Sequence, residues 1–181
     1  LIIRLAQPRD APALAAIYNH HILHGLGTFE ETPIPAEEMV GRMASVVARG
    51  LPYLAAEDGG RVIGYAYAGP FRLRVAYRYT VEDSVYIAQD AMGRGVGKAL
   101  LGRLIADCEA IGLRQMLAVI GDSGNAGSIA LHRALGFEPL GAAQGVGFKH
   151  NRWVDIVWMQ RALNGGATTA PSRPGLALDG A

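Results

Sequence analysis

Cysteine is all but missing from this chain: Cys108 is the only one among 181 residues. That excludes an intrachain disulfide and any multi-cysteine metal site, and it suits a reducing compartment, the cytoplasm. Charge is also scarce. Charged residues make up 18% against 50% hydrophobic, and the formal net charge is +1, so no broad field gathers nucleic acid or anionic lipid. Any anion has to be held by a local device. The same balance suits a folded globule rather than a disordered chain, and the length suits one domain. Long apolar runs are missing too. The opening Leu1-Ile2-Ile3 is broken by Arg4 and followed by Gln7-Pro8-Arg9-Asp10, too short for a signal peptide or a membrane span, and it reads as a first strand.

What is present is an alternation of strand and helix signals without an internal repeat. Asp10 is placed to cap a helix with Pro12 in its first turn, whose apolar face is Leu14, Ile17, Tyr18 and Ile22. A second helix opens near Pro35 with Met39, Val40 and Met43 inward, after a Gly25-to-Pro33 loop. Strands at residues 53–57 and 62–69 flank Asp58-Gly59-Gly60, a strong hairpin signal. A strand at residues 80–87 runs into a glycine-rich stretch and then a helix through Leu100, Leu104, Cys108 and Ile111. A buried strand at 116–120, a helix at 125–135 ended by Gly136, and strands at 137–140 and 152–159 complete the pattern. Hairpin and crossover connections together indicate an α/β domain with a mixed central sheet, spanning residues 1–163. Residues 164–181, rich in Gly, Pro, Thr and Ala, are expected to form a flexible C-terminal tail.

Gly93-Arg94-Gly95-Val96-Gly97-Lys98 lies between a strand and a helix, where backbone amides converge on an anion at the positive end of the helix. A phosphate is the expected guest, with Arg94 and Lys98 adding positive charge. Two nucleotide motifs are excluded by spacing. A Walker A loop ending at Gly97-Lys98 needs glycine at Met92 and a hydroxyl residue at Ala99. A dinucleotide fingerprint meets Lys98 or Leu100 in place of its third glycine.

With Gly95 and Gly97 matching a Gln/Arg-x-x-Gly-x-Gly/Ala loop, the chain resembles the GNAT superfamily of acyl-CoA N-acyltransferases from about Arg4 to Leu163. Met92 stands at the first position of that pattern, so a side-chain contact is lost while the backbone amides remain. Thr28-Phe29-Glu30, the run from Ala76 to Tyr86, Asn125 through Phe137, and Gly147-Phe148-Lys149-His150-Asn151-Arg152-Trp153 are similar to the phosphinothricin and methionine sulfone or sulfoximine acetyltransferases. The resemblance implies the GNAT fold and acetyl-CoA as cosubstrate. It implies transfer of acetyl to a small amino-acid-like amine without a covalent acetyl-enzyme, and it implies a homodimer. It also implies coenzyme contacts from Tyr86, Ile87, Met92, Gly93, Arg94, Gly95, Val96, Gly97, Lys98, Asn125 and Ser128, and acceptor contacts from Phe29 and Glu30. Asn125 also suits a helix N-cap, which is compatible.

The chemistry needs a group to take a proton from the attacking amine. Glu82, inside an apolar strand before the loop, is the first candidate, and the resemblance points to it as well; a structural carboxylate is the plainer reading. Many GNAT enzymes place a tyrosine, as acid for the thiolate, where this chain has His132. A histidine there suits base, orienter or acid, or a plain helix surface. Arg74 and Arg78, among aromatics from Phe71 to Tyr79, suit a substrate carboxylate. The same arginines suit RNA less well, given the near-neutral charge. His20, His21 and His24 read as helix-end or pocket-lining residues rather than a metal site, Cys108 as a buried thiol, and Trp153 and Trp158 as core or subunit contacts. No metal, nucleic-acid or membrane partner is expected. Acetylation of a polyamine or a protein N-terminus, and a non-catalytic acyl-CoA or RNA-binding module, remain the alternatives.

Overall fold

The computed structural model describes residues 1–178. Strand β1 (Ile2–Leu5) is locked to the next turn by Arg4, whose guanidinium meets both oxygens of Asp10 at 2.7 and 2.9 Å. Asp10 also accepts the Gln7 amide at 2.7 Å. Its carboxylate therefore closes the short 3-10 turn at Pro8–Asp10 and leaves helix α1 (Ala11–His24) without the side-chain cap expected of it. Helix α2 (Ala36–Val47) starts after Pro35 and buries Met39 and Met43. The hairpin of β2 (Tyr53–Asp58) and β3 (Arg61–Pro70) turns at Gly59-Gly60. There follow β4 (Thr80–Ile87), α3 (Val96–Ala110), β5 (Gln115–Gly121), α4 (Ala126–Ala134), β6 (Glu138–Lys149) and β7 (Arg152–Ala162).

The strands form one seven-stranded sheet in the order β1-β2-β3-β4-β5-β7-β6, and only the β4–β5 pair is parallel. Side chains alternate across it. Tyr53, Tyr65, Tyr67 and Tyr86 pack with α1 and α2 on one face, while Leu54, Ala66, Val81 and Val85 pack with α3 on the other. The fold is thus the mixed α/β arrangement expected, with helices covering both faces.

One irregularity positions the site. β4 and β5 are partners only from Thr80 to Glu82 and from Gln115 to Leu117. Beyond those residues, β4 keeps β3 on one edge through Ile87, and β5 keeps β7 through Gly121. The two central strands therefore part into a wedge, and one edge of each is left without a strand neighbour.

Two expectations are corrected here, the length of one strand and the loose tail, and the choice left open for Trp153 is narrowed. The strand expected at residues 137–140 is a twelve-residue β6, with register shifts at Pro139/Gly141 and Ala143/Gly147. Its glycines interrupt the alternation by which strands are read, and bulges absorb them. Trp153 is 68% exposed and rests its ring on Phe148 at 5.1 Å, so it is not a core residue. Residues 164–178, read as a loose tail, lie against the domain, and Leu176 and Leu178 join the core; residues 179–181 fall outside the described part. The anchor is Arg114, buried, whose guanidinium donates to the carbonyls of Gly166, Thr169 and Ala170 and to the Thr169 hydroxyl. Composition alone hides this, because all the partners but the Thr169 hydroxyl are backbone atoms. Arg114→Lys keeps the charge and loses the fork. It is expected to cost about 1–2 kcal/mol in urea unfolding and to open residues 164–178 to limited proteolysis.

Candidate active site

The wedge opens into a crevice of about 780 Å³. Its walls are β4 from Glu82 to Ile87 and β5 from Ala118 to Gly121; the glycine loop, α4 and the Gly25–Phe29 loop close the ends. That last loop crosses directly over the end of β5. A Cβ on Gly121 would sit 2.1 Å from the Leu26 carbonyl oxygen, so only glycine permits the crossing.

At the glycine loop, Gly93 and Gly95 have φ of 73° and 82°, in the left-handed region. Gly95 is the N-cap of α3, with no side-chain hydrogen bond to the cap. Among the described residues, the amides of Gly93 to Lys98 have no protein acceptor; the first bond of the helix runs from Ala99 to Gly95. A Cβ on either Gly93 or Gly95 would meet nothing within 4 Å. The loop is thus open space lined with unpaired donors at a positive helix end, and a diphosphate fits it. The free edge of β4 beyond Glu82 likewise suits an extended chain carrying amides. Together they fit coenzyme A, its phosphates on the loop and its arm along the strand.

The reacting end of the wedge is set by the alternation along β4. Glu82 and Ser84 point to the face of α1 and α2, opposite Gly69 and Tyr67 of β3. Burial, and then the neighbouring charge of Asp83, push the Glu82 carboxyl up to about 7. Asp83 points to the other face, where its Oδ2 lies 3.0 Å from His132 Nε2. His132 is 4% exposed, so the helix-surface reading is excluded. Its Nδ1 is 2.8 Å from the Ser128 carbonyl oxygen. Burial works to lower the His132 pKa, but the hydrogen bond and charge of Asp83, with the Ser128 carbonyl, prevail and raise it. Asn125 accepts the Ser128 amide as the N-cap of α4 and also lines the crevice.

The crevice gathers Glu82, His132, Tyr86, Ile87, Met92, Gly93, Gly95, Val96, Gly97, Lys98, Asn125, Ser128 and Phe29. Four expected residues lie elsewhere. The Arg94 side chain turns to Asp58 at 2.7 Å, leaving only its backbone in the loop. Glu30 is bonded by Tyr18 at 2.9 Å and by Arg42 at 2.6 and 2.9 Å, so its carboxylate fastens the Gly25-to-Pro33 loop instead of facing the crevice. Arg74 is exposed, and Arg78 donates to the Val75 carbonyl with its guanidinium over Tyr79. Within one protomer neither arginine lines the crevice.

Several lining or supporting groups were not read from the sequence. Asp83 and Tyr67 are two; Asp83 was detectable, because adjacent acids in a strand must face opposite sides. His21, expected to line a pocket or to end its helix, lines the crevice and lies 2.9 Å from the Ile87 carbonyl oxygen, and burial lowers its pKa. Lys149 is 1% exposed and donates from Nζ to the Thr28 carbonyl at 2.7 Å. Lys149→Met keeps the volume and releases that loop. The expected result is a rise of about fivefold in KM for the amine, from one lost hydrogen bond, with the KM for acetyl-CoA unchanged in steady-state assays.

A parallel-strand wedge with an anion-binding helix start and a half-buried carboxylate defines a coenzyme-A-dependent acyl transferase. The model of the acetyltransferase (GNAT) domain matches residues 3–158, and the chain belongs to that family. It is 53% identical to the phosphinothricin N-acetyltransferase of Alcaligenes faecalis over 93% of this chain and 86% of that protein. It is 43% identical to the L-methionine sulfoximine/L-methionine sulfone acetyltransferase of Pseudomonas paraeruginosa, over 90% and 94% of the two chains. The crystal structure of a phosphinothricin acetyltransferase from Sinorhizobium meliloti in complex with acetyl-CoA superposes with a TM-score of 0.92 at 47% identity, covering 96% of this chain and 94% of that one. The chain is an N-acetyltransferase that uses acetyl-CoA. Among the described residues, no helix is long and apolar enough to cross a membrane, and no group of three or more His, Cys, Asp or Glu is placed to hold a metal.

Proposed function

We propose that this enzyme acetylates the amino group of a small amino-acid-like substrate of the phosphinothricin, methionine sulfone or methionine sulfoximine type. The amine attacks the thioester directly. The observation that carries the mechanism is Glu82, at the point where β4 and β5 part, with a carboxyl pushed up to about 7. A group with that pKa takes a proton from an ammonium near neutrality and releases it again. The amides of the glycine loop hold the diphosphate, Asn125 and Ser128 flank the arm, and an amide near Tyr86 or Ile87 faces the developing oxyanion. His132, on the opposite face of β4 from Glu82, belongs to the leaving-thiolate side. Phe29, lining the crevice from the loop held by Lys149, takes part in the acceptor pocket.

The assay is thiol release from acetyl-CoA with phosphinothricin, methionine sulfone and methionine sulfoximine, against spermidine and an alanine-terminated peptide. The expected result is a kcat/KM at least about tenfold higher for the amino-acid analogues. Equal or better turnover of the polyamine or the peptide would reassign the acceptor, and coenzyme binding without any thiol release would leave a non-catalytic module. A homodimer in the cytoplasm belongs to the same reading. Its support is the exposed apolar group Leu140, Val146, Phe148 and Trp153 on the β6–β7 hairpin, and the single buried thiol.

A further inference from the structure

The hydrogen bonds of His132 leave it no free nitrogen. Its Nδ1 lies 2.8 Å from a carbonyl oxygen, which can only accept, so Nδ1 carries a hydrogen. Its Nε2 lies 3.0 Å from Asp83 Oδ2, and one more proton must lie between those two atoms. With a hydrogen on each nitrogen the ring is an imidazolium facing the Asp83 carboxylate, and the pair is neutral overall. A base needs an open lone pair, and this ring has none while the two bonds stand.

The partner acid is unusual in a second respect. Asp83 is 6% exposed, and its Oδ1 is buried with no hydrogen-bond partner among the described residues, although the residue lines the crevice. A purely structural ion pair in a core is expected to satisfy all its oxygens. Here the unpartnered oxygen is enclosed rather than facing the crevice, so what ties Asp83 to the site is its bond to His132, which lines the crevice with it.

We propose that Asp83 is a positioning residue of the acetyl transfer: by accepting the hydrogen bond from His132 Nε2 it fixes that ring at the crevice wall and keeps a proton on Nε2. This rests on the acyl-transfer reading of the same crevice. The neutral pair places no net negative charge on the wall beside the leaving thiolate, which an isolated aspartate would do. Asp83 also acts through the strand on Glu82, whose carboxyl its charge helps to raise. The ionisable groups around the pair are Glu82 next to it, Tyr67 across β3 on the face of Glu82, and Cys108 from α3, whose thiol burial pushes up.

Asp83→Asn tests this, because asparagine fills the same space and donates to Nε2 but carries no charge to hold a proton there. The expected result is a kcat lower by on the order of 10²-fold, with the acetyl-CoA dissociation constant within about threefold of wild type. The acid limb of the rate profile should move to lower pH as Glu82 loses a neighbouring charge. Nitrogen-15 NMR of labelled histidine reads the pair without turnover: His132 in the wild type shows both nitrogens hydrogen-bonded with a proton on each, and in Asp83→Asn a neutral ring with a bare Nε2. A wild-type His132 with a bare Nε2 at neutral pH overturns the proposal even if the variant does not fold. So does a folded Asp83→Asn enzyme with wild-type kcat. Glu82→Gln in parallel separates the two claims: its loss of turnover beside an unaffected Asp83→Asn removes Asp83 alone, whereas full activity in both removes the acyl-transfer roles assigned to this strand.

Discussion

Glu82→Gln is expected to lower kcat by about 10²–10⁴-fold, the range over which a positioned base contributes to a proton transfer. Affinity for acetyl-CoA, measured by calorimetry, should stay within about threefold, because Glu82 stands at the head of the wedge, away from the glycine loop proposed to hold the phosphates. The pH dependence is part of the same expectation. A base works when deprotonated, and the Glu82 carboxyl is pushed up to about 7 by burial and by Asp83. In the wild type kcat/KM should therefore rise with pH through about 7 and level off above it, and in Glu82→Gln that limb should vanish. A rate profile in Glu82→Gln identical to the wild type would take Glu82 out of the mechanism.

The same burial has a consequence for stability, with the opposite sign. Below the ordinary carboxyl value of 4.5, Glu82 is protonated in both folded and unfolded chains and contributes nothing. Between 4.5 and about 7 the folded chain holds a proton that the unfolded chain has released, so stability falls as the pH rises. Above about 7 the folded enzyme carries the full burden of a half-buried charge. Glutamine has no such burden, and Glu82→Gln should be more stable than wild type at pH 8 by on the order of 2 kcal/mol and equal to it near pH 4. An inactive but more stable variant is what a catalytic carboxylate predicts; a structural carboxylate would destabilise when replaced.

Which parts of this site could be read in the chain depended on whether the cause was local. The Asp58-Gly59-Gly60 turn and the Gly95-x-Gly97 loop are local, since left-handed backbone conformations are needed within a few residues, and both appear where expected. Glu82 was legible because an acid within an apolar strand is costly without a purpose. The features that escaped are pairings across the chain. Arg94 finds Asp58, Glu30 finds Arg42, and Lys149 reaches the Thr28 carbonyl across 121 positions. Such choices depend on which faces the sheet brings together. Arg114 escaped for a different reason, since its acceptors apart from the Thr169 hydroxyl are main-chain carbonyls that have no residue type. β6 was read short because Gly141, Gly145 and Gly147 carry no side-chain alternation, although the strand pairs with β7 around its bulges.

The loop itself can be put to the test with Gly95→Val. At a φ of 82° a β-branched residue strains the backbone by about 1–3 kcal/mol, and Gly95 is the residue from which α3 starts. Among the described residues, none apart from its chain neighbours stands within 4 Å of the new Cβ, so the substitution should not disturb the core, and the folded enzyme should remain. The space it fills is where the diphosphate has to approach the amides of Gly93 to Lys98. Losing about two charge-assisted hydrogen bonds there amounts to about 3 kcal/mol, which weakens coenzyme A by on the order of 10²-fold. Calorimetric titration reads that loss directly, and the rise in melting temperature on adding coenzyme A should shrink with it. Gly97→Ala provides the contrast. Gly97 lies inside the helix, and its added Cβ would crowd the end of the Leu131 side chain at 3.1 Å and touch Ile87 Cγ1 at an ordinary 3.9 Å. The Leu131 side chain can shift, so binding should change far less. Equal loss at both positions would point to a general disturbance of α3, whereas a loss confined to Gly95 places the diphosphate at the helix start.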